Sequence, residues 1–111
     1  MKNALLLYSS PQVRERHMEN FDAILAEYDA VAATPGVGTG LQLQPTDSAT
    51  TVRVDNGETL LSDGPFVAAK EFLGGLFVVD AENLDGAIAI AARLPVARMG
   101  GAVEVRPIMD E

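Results

Sequence analysis

Residues 4–8, Ala-Leu-Leu-Leu-Tyr, form an unbroken apolar run, the pattern of a strand buried on both faces. Ser9-Ser10-Pro11 then supplies a helix start, a hydroxyl cap followed by proline at the first helical position. Beyond it Met18, Phe21, Leu25 and Tyr28 recur at three- and four-residue steps, with Ile24 and Val31 alongside. That spacing predicts one amphipathic helix ending near Ala33, where Pro35-Gly36 stops it. Residues 38–43 read as a short second strand. Residues 50–55 and 58–62 flank Asn56-Gly57, a strong two-residue hairpin signal. Residues 73–79 are a second continuous apolar run. Asn83-Leu84-Asp85 opens another helix, with Leu84, Ala87, Ile88 and Ala91 on one face and Pro95 beyond its end. Residues 102–106 alternate Val103 and Val105 with Glu104 and Arg106, as a half-exposed strand does.

The order is β-α-β-β-α-β with an additional hairpin, which predicts a single α+β domain over residues 1–111, a ferredoxin-like sandwich of split βαβ type. Two helices cover one face of such a sheet. Leu5, Leu6 and Leu7, and again Leu76, Phe77, Val78 and Val79, place apolar side chains on both faces. The uncovered face therefore needs a partner, and a second copy packed sheet to sheet is the simplest one. Phe77 and Val78 alternate, and the pattern leaves open which of them faces that partner.

Composition narrows the functional classes. The chain is 48% apolar, enough for a core and against disorder. Sixteen acidic residues stand against eight basic ones, a net charge of −8, which opposes binding to bare nucleic acid or to an anionic membrane. With zero cysteines there are no disulfides, no thiolate catalysis and no Cys-ligated metal. The apolar run at the N-terminus is short for a secretory signal, and a first strand explains it better, so a cytoplasmic protein is the expectation.

The one histidine, His17, shares the apolar stripe of the first helix with Phe21, four residues on. Imidazole is the side chain best suited to proton transfer near neutrality, although a core-edge histidine bonded to backbone would look the same. A histidine base needs a carboxylate to fix its tautomer and stabilise the imidazolium. Asp63 stands before Gly64-Pro65, on a stiff corner that either presents a functional carboxylate or simply turns the chain. Lys70, next to Glu71, is a candidate for holding an anionic substrate, as are Arg53, Arg98 and Arg106. Gly36, Gly38 and Gly40 form a Gly-x-Gly-x-Gly run, but it leaves a helix and enters a strand, the reverse of a nucleotide-binding loop. One histidine and scattered carboxylates suggest neither a metal site nor a cofactor.

Asp63-Gly64-Pro65-Phe66, Lys70-Glu71, Leu73-Gly74-Gly75, Leu84-Asp85-Gly86-Ala87, Ala91-Ala92-Arg93 and Val103-Glu104-Val105-Arg106-Pro107 together resemble the YCII-related family in its DGPF-type branch. The resemblance implies a dimeric α+β barrel, in agreement with the unpaired sheet face. The Arg-x-x-His-hydrophobic pattern at Arg14 to Met18 resembles the segment that carries the proposed active-site histidine in a sister branch. That implies a His17–Asp pair, and Asp47 follows the second strand about where the sister branch has its aspartate; Asp63 is the first candidate partner on the stiffness of its corner, with Asp47 the alternate. Phe66 joins Lys70 and Arg53 as candidate substrate-binding residues. Two functions are then expected alternatives. One is acid–base chemistry on a small molecule in a pocket of the homodimer, as a lyase, isomerase or hydrolase-like enzyme. The other is a binding or regulatory module with a protein partner linked to extracytoplasmic-function sigma factors.

Overall fold

A computed structural model describes residues 1–67 and 69–110; Ala68, beside the Asp63–Phe66 motif, and Glu111 lie outside the described residues. Its elements are β1 (Lys2–Ser9), α1 (Pro11–Glu19), α2 (Phe21–Ala32), β2 (Leu41–Gln42), β3 (Thr50–Asp55), β4 (Glu58–Asp63), β5 (Phe72–Asp80), α3 (Leu84–Ala92) and β6 (Ala102–Pro107). Four strands form one antiparallel sheet in the order β2-β5-β1-β6, with the two apolar runs at its centre. Leaving the hairpin aside, this is the strand order of a ferredoxin-like α+β fold. β3 and β4 pair only with each other.

The pleat sorts the central side chains. Leu5 lies opposite Phe77 and Val105, and Leu7 opposite Gly75 and Val103. These point to the helices, where Leu5, Leu7, Phe77 and Val79 close a core with Val13 of α1, Val31 of α2 and Ala87 and Ala91 of α3. On the other face Ala4 opposes Val78, and Leu6 opposes Leu76. Phe77 is 7% exposed and Val78 is 39% exposed, so Val78 belongs to the helix-free face.

Two elements differ from the sequence expectation. The single helix expected up to Ala33 is two, broken at Asn20 with φ −141° and ψ 52°. The apolar stripe runs on across the break, so periodicity alone conceals it; asparagine favours such a non-helical junction, and its carbonyl accepts the Ile24 N–H at 3.1 Å to restart the ladder. The second strand is only Leu41–Gln42, although Val37 bridges Val79, and Gly38 and Leu43 each donate a backbone hydrogen bond to β5. The helix starts agree with the sequence. Ser10 accepts the Val13 N–H at 3.2 Å ahead of Pro11, and Asn83 accepts the Gly86 N–H at 2.9 Å.

The hairpin turns at Asn56 (φ 50°) and Gly57 (φ 77°), both in the left-handed region that a type I′ turn requires. Valine at Gly57 should cost about 1–2 kcal/mol, because a β-branched side chain resists that region. β3 and β4 make their ladder apart from the main sheet. The loss is therefore expected locally, as roughly tenfold faster amide exchange across β3 and β4, with the β1 and β5 amides unaffected. Unchanged protection in the hairpin of Gly57→Val would refute this. The hairpin also spreads the molecule. Its radius of gyration is 15.7 Å, against about 13 Å for a compact chain of this length, and its extents are 45 × 41 × 19 Å.

Candidate functional site

The break at Asn20 creates the site. In one continuous helix His17 and Tyr28, eleven residues apart, would be separated by about 16 Å along the axis. Folding α1 back on α2 brings His17 Nε2 to 2.9 Å from the Tyr28 hydroxyl, with the rings 5.9 Å apart and 24° from parallel. His17 Nδ1 lies 2.8 Å from the Val13 carbonyl oxygen. A carbonyl only accepts, so Nδ1 carries a proton. In the neutral ring Nε2 is then the acceptor, and the Tyr28 O–H donates to it. Burial raises the Tyr28 phenol above its ordinary value, with the Val96 backbone and the Arg98 guanidinium opposing the shift. The phenol is thus a proton donor held neutral and aimed at a base.

The pair faces a groove of about 570 Å³ between the two helices and the β2 edge of the sheet. Leu7, Gly75 and Phe77 line it from the sheet, and Met18, Phe21 and Leu25 from the helices. Leu41 and Leu43 line it from the opposite side, exposed like Met18 and Phe21. This size and apolar lining, with a few convergent polar groups, suit a small organic molecule. The Gly36, Gly38 and Gly40 run shapes that wall. A Cβ at Gly36 would lie 2.5 Å from the Asp80 carbonyl oxygen, one at Gly38 3.1 Å from the Val78 carbonyl oxygen, and one at Gly40 would run into the Phe77 ring. Glycine at alternate positions lets the segment lie close along β5, and this is the physical reason for the spacing.

The other sequence candidates lie elsewhere. Within the protomer His17 pairs with neither aspartate; both ring nitrogens are engaged as described, and no carboxylate of the described residues forms an ion pair with it. Asp63 is exposed at the end of β4, paired with Thr50 across the hairpin, and does not line the groove. Asp47 is exposed in a short 3-10 turn at Thr46–Ser48 and lines a small depression with Arg14 and Phe72, next to the groove mouth. Arg53 stacks over the exposed Phe66 ring at 4.7 Å, a cation–π contact at the hairpin. Lys70 is exposed and does not line the groove. Arg98 binds Glu27 at 2.6 Å, and Arg106 pairs with Glu104 along β6. Among the described residues there is no cluster of three His, Asp or Glu able to hold a metal ion, and no helix long and apolar enough to cross a membrane.

Sequence reasoning did not single out Tyr28 or Arg14. Tyr28 reads as a core position of one long helix, and only the junction at Asn20 signals otherwise.

Comparison with known proteins places this geometry in context. A model of the YCII-related domain matches residues 1–111. An uncharacterized protein of Rhizobium meliloti is 36% identical over 100 residues, covering 89% of this chain and 78% of that protein. Among solved structures, 5-chloro-2-hydroxyhydroquinone dehydrochlorinase from Burkholderia phenoliruptrix, in complex with 2,5-dihydroxybenzoquinone, aligns with a TM-score of 0.56. The alignment covers 100% of this chain and 96% of that one at 17% identity, a likeness of fold.

Proposed function

The chain belongs to the YCII-related family, and on that premise we propose that it is a small-molecule enzyme using acid–base chemistry, with His17 and Tyr28 as the proton-handling pair. The observation that carries this reading is the 2.9 Å contact between His17 Nε2 and the Tyr28 hydroxyl inside an apolar groove, with Nδ1 tied to a backbone carbonyl. A bound substrate gives its proton to the Tyr28 oxygen while the Tyr28 proton passes to His17 Nε2. The imidazolium that results keeps its Nδ1–H on the Val13 carbonyl. The reverse transfer returns a proton to the product, so the pair serves a lyase, isomerase or dehalogenation step equally. That a structural neighbour is named as a dehydrochlorinase is consistent with such chemistry on this fold.

The proposal includes a homodimer. Helices α1, α2 and α3 pack on one face of the sheet, while Leu6, Leu76 and Val78 lie on the other. The hairpin adds Val52, Val54 and Leu61 on one of its faces, 59%, 69% and 67% exposed. A two-stranded hairpin is at best marginally stable alone, and a second copy covers both surfaces.

The test is solvent-deuterium incorporation into small enolisable and phenolic compounds, followed by NMR. Enzyme-dependent incorporation that disappears in His17→Gln is the expected result. Equal rates with both proteins would exclude the pair as the proton-transfer group. Compounds that shift groove signals but never exchange would favour a binding module instead.

A further inference from the structure

Resting on the reading of the groove as a small-molecule site, we infer that Arg14 anchors the carboxylate of an aromatic hydroxy acid, whose oxygen substituent then meets the Tyr28–His17 pair. Five of the six arginines are engaged among the described residues. Arg16 donates to the Met99 carbonyl at 2.8 Å, Arg93 to the Thr34 hydroxyl, Arg98 to Glu27, Arg106 pairs with Glu104, and Arg53 lies over Phe66. Arg14 alone has no such partner there, and it lines both the groove and the adjoining depression. Asp47 faces that depression too, yet forms no ion pair with it.

The spacing puts the cation and the proton-handling pair on the same groove. Arg14 and His17 are three residues apart on α1, one turn, which sets their Cβ atoms about 5–6 Å apart on one face. Phe21 and Phe72 also line the groove, apolar faces for a planar ring. With a net charge of −8 the protein repels anions at long range, so a carboxylate ligand needs a local cation. A guanidinium with its donors uncommitted provides one in a geometry that accepts both carboxylate oxygens.

The experiment compares 2,5-dihydroxybenzoate with hydroquinone, which differ by the carboxylate, as ligands of the full chain by calorimetric titration, with groove signals followed by NMR. The acid is expected to bind about tenfold more tightly than the diol in the native protein. Arg14→Gln should remove that advantage, leave the diol's affinity unchanged and leave the melting temperature unchanged, since Arg14 holds no structural partner. An acid that binds no more tightly than the diol, or an advantage that survives Arg14→Gln, would overturn the assignment of Arg14 while the groove stands. Failure of both compounds to perturb the groove would overturn the small-molecule reading and this inference with it.

Discussion

Replacing Val78 with lysine should turn a homodimer of twice 11.7 kDa into a folded monomer, measured by sedimentation equilibrium at micromolar concentration. Val78 lies on the helix-free face between Ala4 across the ladder and Leu76 two residues back, in the middle of the surface proposed to meet the second copy. An ammonium buried there without a counter-charge costs about 3–5 kcal/mol, roughly two to three and a half orders of magnitude in the dimer dissociation constant. The neighbouring Phe77 provides the contrast. It points into the helix-covered core, so Phe77→Lys should prevent folding rather than separate the protomers. A native protein that sediments as an 11.7 kDa monomer would refute the dimer, and so would a Val78→Lys variant that still pairs with native affinity.

That contrast marks how far a single sequence carries. The two apolar runs identify β1 and β5 as central strands, and Asn56-Gly57 and the capped starts at Ser10 and Asn83 identify the hairpin, α1 and α3. These are local signals, each carried by a few adjacent residues with a definite backbone requirement. A strand that is apolar throughout does not reveal which side chains face the helices, because only alternation would tell. Facing is decided by the register with β1 and by the position of the helices, both of which are long-range. The same limit conceals the site. His17 is legible as a candidate proton carrier from its chemistry, but its contact with Tyr28 depends on a change of direction at Asn20, which the stripe of Met18, Phe21, Leu25 and Tyr28 disguises. Asp63 looks well placed in the chain because its corner is stiff. Stiffness is a local property, and in the protomer the corner belongs to the hairpin.

Removing the Tyr28 hydroxyl separates a functional pair from a structural one. Under the proposed chemistry Tyr28→Phe and His17→Gln should each lower the proton-transfer rate by about 10²–10⁴-fold, the usual contribution of a positioned acid or base. The stability cost should be far smaller, about 1 kcal/mol for one hydrogen bond in a partly buried setting. The two changes act on one relay, so the double variant should be no worse than the poorer single one. Alkaline behaviour gives an independent check. Burial raises the Tyr28 phenol, so the folded state keeps this proton where the unfolded chain loses it. Stability from this group is therefore complete below about pH 10, the ordinary tyrosine value, and is lost as pH rises through the raised value in the fold. Tyr28→Phe should be missing that part of the alkaline decline when its melting curves are compared with those of the native protein. A Tyr28→Phe variant that keeps the full rate but loses stability would make the contact with His17 a packing feature of the α1–α2 junction, and the acid–base reading would fall with it.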